Sequence, residues 1–272
     1  MMSEASGPIA IFDSGVGGLT VAAAIARALP HEVFVYLGDT ARLPYGTKSA
    51  ETVTRYAVQA TRALMRFQPK MIVVACNTAS AVALPVLAAA YAPLPVVGVV
   101  EPGARAAVGA SRHGRIAVIA TEGTVRGGAY VRAIHALNAQ AVVVQRACPL
   151  FVALAEEGWT HGAVPELAAR KYLSDIFEVD APPDTLVLGC THFPVLVDAI
   201  RKAVGPSVAL VDSAETVARE IASIVRASGG GAAPGVHRFL STDAPERFAR
   251  VGSLFFGAAI DPAQVELVDL SA

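Results

Sequence analysis

An α/β fold of two similar parallel-sheet, doubly wound domains, facing each other across a central cleft, is what the 272-residue sequence predicts. Three observations carry that expectation. Short, continuous apolar runs alternate with helical patterns, which is how buried parallel strands and their crossover helices read. One unit of strand, cysteine, polar residues and helix occurs twice, as Met71-Ile-Val-Val-Ala-Cys-Asn-Thr and as Leu186-Val-Leu-Gly-Cys-Thr-His. The length suits one large domain or two small ones, at roughly 100–200 residues each.

The elements follow in order. A strand at 9–12 leads into a helical pattern at 19–29. A second strand at 33–37 leads into a helix at 50–67, and a third at 71–75 into a helix at 79–91. Strands at 96–100, 116–120 and 141–144 come next. A strand at 186–188 precedes a helix at 195–204, and a strand at 208–211 closes the series. Each run is rich in β-branched residues and does not alternate, so each is expected to be buried on both faces. The repeat places the division near Gly98 and a return to the first unit near Asp212. The predicted domains are therefore 7–97 plus 212–272, and 98–211. Residues 228–235, glycine-rich with Pro234, read as a flexible loop.

Composition excludes several classes of function. With 54% hydrophobic and 17% charged residues the chain is not a disordered one. A net charge of −1 offers no basic footprint for nucleic acid or an anionic membrane surface. Three cysteines, an odd number, argue against a disulfide framework and for a reducing compartment. No charge occurs between Lys70 and Glu101, yet Asn77, Thr78, Ser80, Pro85, Pro93 and Pro95 interrupt the stretch. A membrane-spanning helix needs about 20 mostly apolar residues, so this stretch reads as strand, loop, helix, strand. The opening MMSEASG lacks the basic and apolar regions of a secretory signal, and a cytoplasmic location is expected.

The apolar runs end at Asp13, Asp39, Cys76, Glu101, Thr121, Cys190 and Asp212. Ligands of open α/β sheets bind beyond the carboxyl ends of the strands. Polar residues that merely begin loops account for Asp39 and Asp212, but not for two cysteines. The glycine turn Asp13-Ser-Gly-Val-Gly-Gly lacks both the P-loop lysine and the dinucleotide spacing. Asp13 beside it would repel a phosphate; it could hold an ammonium or orient another acid–base group. Pro44 and Gly46 bracket a turn whose amides could face a ligand. The cysteines lack the spacing of a structural zinc site or a thioredoxin-like motif. Catalytic thiols at two matching strand ends remain, with Cys148 as a bystander. His192 could assist Cys190 and Asp13 could serve near Cys76, although spacing does not decide which group assists which thiol. Two equivalent thiols, one per unit, suit proton transfer on opposite faces of one carbon, which inverts a stereocentre.

Seven segments in order then carry a resemblance: IAIFDSGVGGLTV at 9–21, YLGDTARLPYGTKS at 36–49, ACNTAS at 75–80, VVEPGA at 99–104, CPLFVALAEEG at 148–158, LGCTHFPVL at 188–196 and VDSAE at 211–215. The chain resembles the glutamate racemases, within the cofactor-independent aspartate/glutamate racemase superfamily. The resemblance implies interconversion of L- and D-glutamate, supplying D-glutamate for peptidoglycan, with no cofactor and no metal. It implies that Cys76 acts on D-glutamate and Cys190 on L-glutamate. Asp13 and His192 would tune the thiols, Glu156 would support His192, and Ser14, Tyr45, Gly46, Asn77, Thr78, Thr121 and Thr191 would join Asp13 and His192 in binding substrate. A homodimer is implied, with no nucleic-acid or membrane partner. Ala153 and Ala155 depart from the family pattern, where Pro and Val are common. The long N-terminal extension of relatives activated by a cell-wall precursor is not seen, so no such activation is expected. An aspartate racemase, another isomerase or decarboxylase of the superfamily, and a two-lobed amino-acid-binding protein are the alternatives.

Overall fold

A computed structural model describes residues 7–227 and 236–270. The loop expected at 228–235 and most of the opening MMSEASG lie outside the described residues. In chain order the elements are β1 (Ile9–Asp13), α1 (Leu19–Ala28), β2 (Phe34–Gly38), α2 (Ala50–Leu64), β3 (Met71–Val74), α3 (Asn77–Tyr91), β4 (Val96–Gly98), α4 (Val100–Ala110), β5 (Arg115–Ala120), α5 (Glu122–Gly127), α6 (Ala129–Leu137), β6 (Val142–Ala147), α7 (Pro149–Glu156), α8 (Ala163–Phe177), β7 (Thr185–Gly189), α9 (Val197–Val204), β8 (Ala209–Asp212), α10 (Ser213–Ala227), β9 (Arg238–Ser241), α11 (Pro245–Phe256) and β10 (Val265–Leu267).

The strands form two sheets, β10-β9-β2-β1-β3-β4 and β6-β5-β7-β8. Every pairing is parallel. The fold is thus the expected α/β arrangement of two parallel-sheet domains, and all eight expected strands are present. Successive side chains of a strand point to opposite faces, and the packing follows that rule. In β1, Ile9 and Ile11 join one apolar cluster while Ala10 and Phe12 join another; β3 divides the same way, Met71 and Val73 against Ile72 and Val74. In the second sheet Ala117, Ile119, Leu186 and Leu188 share the cluster of Ile9 and Ile11, and Ile116, Val118 and Val187 face a third. One apolar core therefore runs between the sheets, and each sheet is covered on its other face as well.

Three expectations need correction. β6 is an edge strand, with Val142 and Val144 exposed; an edge has only one pairing partner and less helix cover, so it is not buried on both faces. The strand expected at 96–100 stops at Gly98, and Val100 opens α4. Two further strands, β9 and β10, extend the first sheet by pairing onto β2 and onto each other. Each is short and carries a charged residue, Arg238 or Glu266, so no continuous apolar run announces it. The uncharged stretch after Lys70 forms β3, α3 and β4, and among the described residues no helix is long and apolar enough to cross a membrane.

Candidate active site

A cavity of about 300 Å³ receives residues from the carboxyl ends of strands in both sheets. That is a small-molecule volume at the low end of the usual range. Ser14, Tyr45, Gly46, Cys76, Asn77 and Thr78 line it from the first-sheet side, and Thr121, Glu156, Cys190, Thr191 and His192 from the second. Every residue expected at the site is therefore brought together except Asp13, which lies fully buried at the end of β1 and outside the lining. Of the other polar strand ends, Asp39 is buried against Arg42, Glu101 is exposed in the first turn of α4, and the Asp212 carboxylate accepts from the Ala214 N–H at 2.7 Å. None of these three reaches the cavity.

Cys76 caps α3. Its sulfur accepts from the Ala79 N–H at 3.5 Å and lies 3.5 Å from the Ser14 hydroxyl. A helix N-terminus lowers a thiol's pKa, but here burial and the neighbouring Asp13 carboxylate outweigh these contacts and push the Cys76 thiol up to about 12. It is a protonated acid at neutral pH. Burial also raises the Asp13 carboxyl, against the opposing His192 charge and backbone N–H groups, among them Gly15 N at 2.9 Å.

The other thiol has a different neighbourhood. Cys190 Sγ lies 3.9 Å from His192 Nδ1, and His192 Nε2 lies 3.2 Å from Glu156 Oε1. Burial disfavours a charged His192, yet its hydrogen bonds to Cys190 and Glu156, with the charges of Cys190 and Asp13, carry its pKa to about 10. Burial likewise disfavours the Glu156 carboxylate, but His192 and Arg247 hold it down at about 2. The pair is an imidazolium–carboxylate pair, and an imidazolium is a donor on both nitrogens. The Gly-Val-Gly-Gly turn serves close approach here: a Cβ on Gly17 would sit 2.3 Å from His192 Nδ1, and one on Gly18 2.5 Å from the Asp13 Cβ.

Neutral donors complete the wall. Thr78 and Thr121, from different sheets, share a hydrogen bond of 2.9 Å. Asn77 Nδ2 donates to the Tyr130 hydroxyl at 2.8 Å and to Ser213 at 3.3 Å. The Tyr45 hydroxyl is committed to the Asp39 carboxylate, so Tyr45 offers the cavity its ring and backbone rather than its phenol. Cys148 is fully buried, does not line the cavity, and is pushed up to about 12 chiefly by burial. No Lys or Arg lines the cavity among the described residues.

Sequence reasoning missed several participants. Ala153, noted only as a departure from a pattern, lines the cavity with Val152 and Glu122. Arg247 donates to Glu156 Oε2 at 2.9 Å, and the Phe255 ring meets the His192 ring at 5.1 Å and 70°. Both lie on α11, far along the chain from the residues they touch, and no local pattern marks them.

Comparison with known proteins identifies the family of the chain. The family model described as Asp/Glu/Hydantoin racemase matches residues 19–221. A glutamate racemase of Geobacter metallireducens is 53% identical, over 95% of this chain and 96% of that one. The structure of a glutamate racemase from Francisella tularensis in complex with D-glutamate superposes with a TM-score of 0.90 at 34% identity, covering 98% of each chain. That of the Thermus thermophilus glutamate racemase, in complex with beta-chloro-D-alanine, gives 0.86 at 45% identity over 98% of this chain and 99% of that one. Matched by the family model over most of its length and by these relatives over nearly all of it, the chain belongs to the Asp/Glu/Hydantoin racemase family.

Proposed function

We propose that this protein is a racemase that interconverts L- and D-glutamate by two-base proton transfer between Cys190 and Cys76. The observation that carries the reading is the pair of thiols, each following a strand of a different sheet, in the lining of one small cavity. The relatives named glutamate racemase support the substrate.

In the L-to-D direction the Cys190 thiolate takes the α-proton, and the electron pair stays on the α-carbon and its carboxylate. The Cys76 thiol then delivers a proton to the opposite face. The cycle leaves Cys190 as thiol and Cys76 as thiolate, the pair that runs the reverse reaction. Asymmetric surroundings suit this division. An imidazolium at His192 is a donor for a Cys190 thiolate, and the buried setting of Cys76 keeps its proton in place until a carbanion needs it. The α-proton of an amino acid is very weakly acidic, so oriented donors must stabilise the developing charge. Ser14, Thr78, Thr121 and Thr191 serve the carboxylates without fixed positive charge, together with the backbone N–H groups of Gly46 and of Asn77, whose side-chain amide is committed to Tyr130 and Ser213. Closure of the two halves excludes water and sets the thiols about the carbon. No step calls on a metal or an organic cofactor.

The D-glutamate formed would enter peptidoglycan synthesis. We also propose a cytoplasmic location, supported by three free cysteines, domains of 7–97 plus 212–272 and of 98–211, supported by sheet membership, and a homodimer, testable by sedimentation. The test of the function is exchange of the α-hydrogen in D₂O with either enantiomer of glutamate. Deuterium incorporation with inversion, lost in Cys76→Ala and in Cys190→Ala, is expected. Tight glutamate binding without exchange would identify a binding protein, and turnover of aspartate alone would identify a different racemase.

A further inference from the structure

His192 is held from four sides. Cys190 and Glu156 bond its two nitrogens, Gly17 presses its backbone against the ring, and the Phe255 ring meets it in a T-shaped contact. The titratable groups around it are Cys190, Glu156 and Asp13. Of the two Glu156 oxygens, Oε1 meets His192. Oε2 accepts from Arg247 at 2.9 Å.

Arg247 comes from the other half of the molecule. Its helix, α11, follows β9 of the first sheet, and the ring of its Phe248 packs 5.9 Å from Tyr36 of β2. Glu156 ends α7, which follows β6 of the second sheet. A carboxylate held through one oxygen can rotate; one held through both has its plane fixed. The Arg247 side chain is 43% exposed, and ion pairs at that exposure contribute little to folding. The value of this pair lies in geometry.

We infer that Arg247 is a positioning residue for catalysis: it fixes the Glu156 carboxylate across the cleft, and through it the orientation of His192 at Cys190, so that the acid–base group on one face of the substrate is set only when the two halves are together. The inference rests on the two-thiol reading above.

The test uses Arg247→Ala, Arg247→Gln and Arg247→Lys in the full chain, with racemisation followed in both directions and with α-deuterated L- and D-glutamate. The expected result for Arg247→Ala is a fall in kcat of about 10-fold, the size of a modest misplacement, with KM little changed. The primary isotope effect on kcat/KM rises in the direction in which Cys190 abstracts the proton and falls in the other, because only the Cys190 step has slowed. Arg247→Lys, which keeps the charge and one donor, restores most of the rate, and Arg247→Gln falls between. An unchanged rate in Arg247→Ala overturns the inference. So does a loss of rate in which both isotope effects move together, or one not rescued by lysine, since a purely structural latch would act on both faces alike. If Arg247→Ala does not fold, the isotope effects of Arg247→Gln decide by the same criteria. Failure of the unaltered protein to racemise glutamate would instead overturn the functional reading itself.

Discussion

At the scale of single residues, the candidate site gives two identical thiols unlike neighbours. Cys76 has a carboxylate, a hydroxyl and a backbone N–H; Cys190 has an imidazolium. Replacing either by serine should lower racemisation by at least about 10²-fold, the usual contribution of a positioned acid or base, as measured by chiral assay. The Glu156–His192 pair predicts a pH-dependent stability. Glu156 is held below its ordinary 4.5, at about 2, so its contribution is complete above 4.5 and is lost as pH falls through about 2. His192 is held above its ordinary 6.5, at about 10, so its contribution is complete below 6.5 and is lost as pH rises through about 10. Both are complete between 4.5 and 6.5, where Glu156→Gln should destabilise the protein by about 1–3 kcal/mol. The difference should shrink toward alkaline pH, as urea unfolding across the pH range would read. Gly17→Ala tests the close approach of the glycine turn. A methyl group there must displace His192, at about 1–3 kcal/mol of stability and at least about 10²-fold in activity, checked by unfolding midpoint and rate.

At the scale of elements, the strands that lead into the candidate site were the legible ones. β1, β3 and β7 are buried along their whole length between paired neighbours, and burial on two faces demands the uninterrupted apolar runs that mark them. Phe12, fully buried near the end of β1 and packed 6.1 Å from Tyr45, is such a residue. Phe12→Ala should cost about 3–5 kcal/mol through the cavity it leaves, and thermal unfolding would measure it. Less legible were the boundaries. α3 begins at Asn77 rather than 79 because Cys76 caps it, and the helix expected to 67 becomes a 3₁₀ turn at Met65–Phe67. β9 and β10 hide because their pairing partners, rather than their own apolarity, make them strands. The helix that follows β9 is nonetheless the one that reaches His192.

At the scale of the whole molecule, the cavity exists because two sheets present their carboxyl ends to each other over a common core. A ligand that binds only the folded form stabilises it by mass action. At 100 times its dissociation constant glutamate should add about 2.7 kcal/mol and raise the thermal midpoint by several degrees; aspartate at equal concentration should do less if the site fits glutamate. Equal shifts for both would argue against glutamate selectivity. By itself the sequence determined the fold class, the eight strands and the pair of cysteines at matching strand ends with their polar followers. These are local: a buried strand needs apolar residues in a row, and a group at a strand end needs only to follow one. Tertiary structure alone decided which strand ends share the cavity and which, like Asp39 and Asp212, do not. It committed the Tyr45 phenol to Asp39, and it brought Arg247 and Phe255 to the acid–base pair. Such contacts join residues far apart in the chain, whose meeting depends on how the two sheets pack and leaves no periodicity or spacing in the sequence.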